Sequence, residues 1–406
     1  MNGGRVSTKC RRNPGFLLER GFLVRIIHEN TIHTWSISIS QSAYLKHVLE
    51  RFGMTDCNPA PTPIALGTPL TKQQAPLTGE DCQFMANKPY REILGSIMYA
   101  QIATQPDLSY AISTLSKFVS NPGRPHWIAL MRVLRYIKGT LDFKITYGGK
   151  GYTNLAPIGY VDADYAGDVD TRRSCSGHVF LQAGGPSAWG SQYQQTVALS
   201  TTEAEYMAMS RAAKQMEFMY SSMDKVGYPQ TRPADLYNDN AGAVSLTKNT
   251  KGNTRVKHID VRHHYICDMV EDGKITIHHI PPSDNLADVF TKPLGRDAHR
   301  RACIGMRLTS GWRVRWARRS IRIVALHSIN RDPIPIWLPY IYNHSSFLYI
   351  YLQIVTTYLQ WSTESLVQKG LLVRSNTSVV YLQTLRWGVI FLYYSIFTDE
   401  LSRYRI

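Results

Sequence analysis

Four carboxylates carry the chemistry most open to this sequence. Asp162 closes a short strand pattern, Ile158-Gly-Tyr-Val-Asp-Ala163. Glu205 falls in the first turns of a long helical pattern, Asp239 follows a second strand signal at Ala234–Asn238, and Asp288 lies in a short helix starting near Asn285. Acids delivered by adjacent strand ends and a facing helix terminus can converge on one spot. Crowded together without counter-charge they repel one another, so the arrangement asks for cations. Hard divalent ions need oxygen ligands, and Mg²⁺ keeps several waters while taking one or two carboxylates plus substrate phosphate oxygens. Two such ions about 3.5–4 Å apart would activate a water and stabilise the departing oxygen of a phosphodiester.

The elements that must position these acids are legible from periodicity and turn residues. Strand signals cover 158–163 and 176–182, and Ala183-Gly-Gly-Pro186 turns the chain into a third strand near 187–193. Ser200-Thr-Thr-Glu203 is a capping box that opens a helix running to about Val226. A strand at 234–238, helices at 240–248 and 259–271, a strand at 274–280 and the short helix near Asn285 complete the order. That order predicts a mixed α/β sheet with helices packed on it.

Upstream, β-type runs at 22–27 and 37–40 precede a helix over 40–52, whose apolar stripe is Tyr44, Leu45, Val48, Leu49 and Phe52. Pro59, Pro61, Pro63, Pro69 and Pro76 predict an extended linker over 57–80. Helices at 89–103, 107–119 and 125–139 read as a small helical subdomain. Gly148-Gly-Lys-Gly151 lacks the spacing of a phosphate loop and reads as a boundary.

The chain has 406 residues and a net charge of +16, from 46 Lys and Arg against 30 Asp and Glu, which suits a polyanionic partner. The charge is uneven: residues 296–322 hold nine Arg against Asp297, so 9 − 1 gives +8 in that stretch alone. Six scattered cysteines form no Cys-x-x-Cys pair and no Cys/His cluster at zinc-finger spacing. Reduced thiols in an intracellular compartment are expected, with no disulfide scaffold and no structural zinc. Residues 1–15 carry Arg5, Lys9, Arg11 and Arg12 without a following apolar run, so no secretory leader is expected. The uncharged stretch 333–363 includes an apolar segment at 345–361. It is short for a membrane span and is interrupted by Gln353, Thr356, Thr357 and Gln360, so no membrane partner is expected.

Tyr160-Val-Asp-Ala-Asp-Tyr-Ala-Gly167, Arg172-Arg-Ser-Cys-Ser-Gly177, Leu199-Ser-Thr-Thr-Glu-Ala-Glu-Tyr206, Tyr237-Asn-Asp-Asn240, Lys257-His-Ile-Asp260 and Asn285-Leu-Ala-Asp-Val-Phe-Thr-Lys292 together resemble the ribonuclease H domain of copia-type retrotransposon Pol polyproteins. Ser40-Gln-Ser-Ala-Tyr44, Val48-Leu-Glu-Arg-Phe-Gly-Met54, Tyr90-Arg-Glu-Ile-Leu-Gly-Ser96 and Arg135-Tyr-Ile-Lys-Gly-Thr140 resemble the distal part of the same family's reverse transcriptase. The resemblance implies four segments: 1–20 unassigned, 21–148 a reverse-transcriptase remnant (palm end with thumb or connection), 149–300 a ribonuclease H-like α/β domain with a five-stranded sheet, and 301–406 an unrelated, poorly structured tail. It further implies hydrolysis of the RNA strand of RNA–DNA hybrids, two Mg²⁺ or Mn²⁺ ions, possible contact with other Pol or Gag products, and residence in cytoplasmic virus-like particles, the nucleus or both.

Carried over residue by residue, the family's metal-binding acids fall on Asp162, Glu205, Asp239 and Asp288. Asp164, Asp168 and Asp170 are then turn or surface acids, Glu203 belongs to the capping box, and Asp235 and Asp284 are displaced by Asp239 and Asp288. Ser174, Ser176, Thr202 and Asn240 are candidates for feeling the 2′-OH beside the scissile phosphate. His258, His263 and His264 with Asp260 read as polar groups of a helix rather than a metal cluster, and one of His278 and His279 is expected to point inward from its strand. Pro281-Pro-Ser-Asp-Asn285 carries no histidine, so no proton shuttle is expected there. No Asp-Asp dipeptide occurs in the chain, so the paired aspartates of a polymerase palm are missing and DNA synthesis is not expected. The competing expectation is an inactive retroelement remnant with at most nucleic-acid binding.

Overall fold

The computed structural model describes residues 23–29, 34–67, 69–152, 154–225, 227–248, 262–310 and 321–322. The acid-bearing half is built on a mixed sheet. Strands β4 (Ile158–Asp164), β5 (Cys175–Gln182), β6 (Gly185–Tyr193), β7 (Ala234–Asn238) and β8 (Ile275–His279) lie in the order β6-β5-β4-β7-β8. The β6–β5–β4 pairs are antiparallel, whereas β7 runs parallel to β4 and β8 parallel to β7. This is the ribonuclease H-like mixed five-stranded sheet that the motifs led us to expect, with every strand within a few residues of its predicted place.

Alternation along the strands divides the core in two. Val161, Phe180, Ala188 and Leu236 turn to α6 (Thr201–Lys225), α7 (Ala241–Lys248) and α8 (Arg262–Glu271). Val179, Trp189 and the half-buried Tyr160 turn to the opposite face, where Phe290, Cys303, Met306 and Ile145 cover them. Because both faces are covered, β5 is buried along almost its whole length. On α6, small residues at 204, 208, 212 and 213 together with Met209 and Met216 form the buried stripe. Glu205 lies within that stripe, an acid where periodicity calls for an apolar side chain.

The second half joins helices to another sheet. Helices α1 (Ser42–Arg51), α2 (Gly79–Ala86), α3 (Tyr90–Ala103), α4 (Ser109–Ser116) and α5 (Arg124–Gly139) form a layer, and Leu45, Ile97, Leu115, Leu130 and Ile137 lie at the centre of its core. Strands β1 (Leu23–Glu29), β2 (Thr34–Ser40), β3 (Phe143–Gly148), β9 (Leu308–Ser310) and β10 (Ile321–Arg322) make an antiparallel sheet ordered β10-β1-β2-β3-β9. The proline-rich stretch is no free linker. Ala60, Ile64 and Leu70 are buried in the helical core, Ala60 N donates to Arg135 O at 3.1 Å, and Arg132 Nη2 donates to Thr62 Oγ1 at 3.0 Å.

The expectation of an unstructured tail from residue 301 is corrected for its first ten residues. Helix α9 (Arg296–Gly305) and β9 belong to the fold, with Ala302, Cys303, Met306 and Leu308 in the core beneath β5. Arg307, one of the nine clustered arginines, is structural: its guanidinium donates to Gly148 O at 2.7 Å and stacks 4.1 Å over Tyr152. The expectations for residues 1–20, for residues 311–320 and 323–406 and for the apolar segment 345–361 lie outside the described residues, as do His258 and Asp260. Among the described residues no helix is long and apolar enough to cross a membrane.

Candidate functional site

Asp162, Glu205 and Asp239 converge. One carboxylate oxygen from each lies within 4.8 Å of the others. Asp162 and Glu205 are buried and Asp239 is half-buried, so the group opens to solvent on the Asp239 side. Burial raises the Glu205 carboxyl far above its ordinary value, and the Asp162 and Asp239 charges add to the effect. Burial and Asp162 push Asp239 up as well.

Asp288 stands beside the three rather than among them. It sits in the 3-10 turn Leu286–Phe290, where a short helix was expected. Lys292 Nζ lies 2.8 Å from Asp288 Oδ1 and 3.5 Å from Asp162 Oδ2, so one ammonium bridges the two acids. Burial and Asp162 still lift the Asp288 carboxyl, to about 6.

Amides and a hydroxyl hold the acids in place. Asn238, wholly buried, donates from Nδ2 to Glu205 Oε2 at 2.9 Å and to Val161 O at 3.1 Å. Asn285 Nδ2 donates to the same Val161 carbonyl at 3.0 Å, and its Oδ1 accepts from Ala287 N at the start of the 3-10 turn. Thr291 Oγ1 donates to Asp162 Oδ2. The turn approaches so closely because Gly177, opposite Asp162 in the β4–β5 register, has no side chain. A Cβ there would stand 2.6 Å from Thr291 Cγ2 and 2.7 Å from Phe290 Cβ. Asn238, Asn285, Thr291 and Lys292 were not singled out from the sequence, although all four lie inside the motifs quoted above.

The competing acids have other occupations. Glu203 N–H donates to Ser200 Oγ at 3.1 Å as the predicted capping box requires, while the Glu203 carboxylate accepts one residue further back, from Leu199 N at 2.7 Å. Asp235 faces His278 Nε2 at 2.8 Å, Asp284 accepts from Ser283, and both oxygens of Asp170 accept from Lys72 N. Asp164 is half-buried on β4 beside the group, and burial raises its carboxyl. Asp168 corrects the expectation of a turn or surface acid: it is buried and paired with Lys117 Nζ at 2.6 Å.

Two of the four substrate candidates are also corrected. Ser174 and Ser176 are buried and already bonded, Ser174 Oγ to Ala166 N at 3.1 Å and Ser176 Oγ to Gln194 Nε2 at 2.8 Å, so neither hydroxyl can meet a substrate. Thr202 and Asn240 are half-buried and come together beside Gly242. Neither strand histidine points into the core, because Ile275 and Ile277 take the inward positions. His278 is half-buried, stacked on Tyr237, and His279 is exposed, with Nε2 3.1 Å from Asp239 O.

No protein-family model matches the chain. Over 276 residues it is 40% identical to the retrovirus-related Pol polyprotein from transposon TNT 1-94 of Nicotiana tabacum, which covers 68% of this chain and 20% of the relative. The chain is similar to retrovirus-related Pol polyproteins from plant transposons. The Pol polyprotein from transposon RE2 of Arabidopsis thaliana is 36% identical over 262 residues, covering 64% of this chain and 17% of the relative. The chain thus spans about a fifth of the length of the Pol polyproteins it matches. Among solved structures, the RNase H1 LC11, isolated from compost by a metagenomic approach, covers 36% of this chain and 98% of its own at 19% identity, with a TM-score of 0.26.

Proposed function

We propose that this segment of a Pol polyprotein hydrolyses the RNA strand of RNA–DNA hybrids endonucleolytically, with divalent metal. The convergence of Asp162, Glu205 and Asp239 at strand and helix ends carries the reading. The donor set fits Mg²⁺ or Mn²⁺: every ligand atom is a carboxylate oxygen, and the acids repel one another when no ion is bound. Asp162, Glu205 and Asp239 would hold the ions, with Asp288 at the edge. Two ions bound there supply activation of the attacking water and charge for the departing oxygen.

The chain's own residues do the positioning. Asn238 fixes the Glu205 carboxylate, Thr291 fixes that of Asp162, and Lys292 balances part of the negative charge. Thr202 and Asn240, half-buried at the start of α6 and just before α7, are the remaining candidates for contact with the 2′-OH. Phosphate contacts from Lys and Arg would add sequence-independent, salt-sensitive affinity.

The test is incubation of the full chain with a hybrid labelled on its RNA strand in the presence of Mg²⁺, beside Asp162→Asn and Asp239→Asn. Wild type cuts the RNA and both variants fail. Cleavage that survives either substitution, or a folded wild type that does not cut, overturns the reading and leaves a nucleic-acid-binding remnant.

A further inference from the structure

A second group of ligand-type side chains meets where α9 docks on the helical layer. His299 and Cys303 stand four residues apart on α9 and therefore share one helix face. That face is turned inward, and both side chains are buried. Asp107, in the 3-10 turn Pro106–Leu108, comes from the other side and is 1% exposed. One ligand atom from each of the three lies within 4.8 Å of the others. Cys303 Sγ is 3.7 Å from His299 Nδ1, close to the roughly 3.5 Å that separates sulfur and nitrogen ligands on a tetrahedral zinc ion.

The group is incomplete as it stands. Asp107 Oδ1 is buried without a hydrogen-bond partner. Such atoms are uncommon in folded proteins and ask for an explanation, an ion among them. The other Asp107 oxygen accepts from the Tyr136 hydroxyl, and the Tyr136 ring meets His299 edge-on at 5.3 Å. Outer hydrogen bonds of this kind orient a ligating carboxylate and leave its second oxygen free for an ion. Beside Asp107 and His299 lies a cavity of about 10 Å³, also lined by Thr62, Tyr110 and Pro293, close to the smallest space that holds one water.

The structure assigns Asp107, His299 and Cys303 to a buried site for a borderline-soft divalent ion, zinc foremost, which fastens α9 to the helical layer. Thiolate and imidazole ligands select such ions over Mg²⁺. The adjacent cavity leaves room for a water as fourth ligand, and binding exchanges the Cys303 thiol proton for the ion. The site is independent of the hydrolytic reading, because it shares no ligand with the carboxylate group. The third ligand comes from far upstream in the chain, which is why the cysteine and histidine spacing alone argued against zinc.

The full chain, produced in zinc-supplemented medium, would be assayed for bound metal and then reloaded with Co²⁺. About one zinc per chain is expected, together with a thiolate-to-cobalt charge-transfer band on reloading. Cys303→Ser abolishes that band, Asp107→Asn weakens metal binding at least tenfold while keeping it, and Asp162→Asn changes neither. Should Cys303→Ser fail to fold, the wild-type spectrum and Asp107→Asn decide. A folded wild type with neither zinc nor a charge-transfer band overturns the proposal, as does a band that persists in Cys303→Ser or zinc affinity unaltered in Asp107→Asn.

Discussion

Asp168 and Glu205 are both buried acids, 3% and 5% exposed, and their surroundings drive them in opposite directions. Burial raises the Asp168 carboxyl, but Lys117 Nζ at 2.6 Å and Thr171 Oγ1 at 2.5 Å more than offset that and hold it below the usual range. Glu205 receives only neutral donors, the Asn238 amide and the Ala163 backbone, and faces Asp162 and Asp239, so burial and like charge lift it together. An acid that serves stability brings its cation within the fold. An acid left among other acids is stable as an ion only when something else supplies the charge, and that is the mark of a ligand. The two therefore respond oppositely to pH. Asp168, whose folded pKa is lowered, adds stability that is present above its unfolded pKa and lost as pH falls through the folded one. Glu205, whose folded pKa is raised, costs stability as pH rises above its unfolded pKa, because the folded state holds the proton more tightly.

The largest expected effect comes from neutralising the uncompensated acid. Glu205→Gln should lower kcat/KM for hybrid cleavage roughly 10³-fold while raising the thermal stability of the metal-free chain near neutral pH. Cleavage close to wild type, or a less stable variant, would dissolve the contrast with Asp168. Removing the partner of the compensated acid is next. Lys117→Met leaves Asp168 buried and unpaired and should cost about 3 kcal/mol in denaturant unfolding, with loss of the acid-side gain that Asp168 provides.

Asn238→Ala sharpens the comparison from the site's side. It strips Glu205 of its side-chain donor and should cost about 1–3 kcal/mol of stability, with cleavage reduced less than in Glu205→Gln. The smallest effect is expected at Lys292, whose charge lowers the carboxyls of Asp239 and Asp288. Lys292→Met removes that help, so the acid limb of the kcat/KM profile should move up by about one pH unit.

The elements of the acid-bearing sheet were readable because each couples a clear period to turn residues, and the capping box separated Glu203 from Glu205 by chemistry alone. The second sheet was less accessible. β3 pairs with β2 and β9, both distant in sequence, and no turn residue links it to either partner. In α9 the exposed Arg296, Arg300 and Arg301 dominate the composition and hide the buried positions His299, Ala302 and Cys303. Serine type and position suggested Ser174 and Ser176 as contacts, but only packing shows their hydroxyls spent on Ala166 and Gln194. Asp168 looked like a turn acid because its partner, Lys117, lies on a separate element.

Asp162, Glu205 and Asp239 together await divalent cations, and Mn²⁺ binding to the metal-free full chain, read from the loss of the free-ion paramagnetic resonance signal, tests this. Wild type and Cys303→Ser should bind alike and Asp162→Asn should lose that binding, with Mn²⁺ raising the thermal stability of the first two only. Equal Mn²⁺ binding by wild type and Asp162→Asn would contradict it.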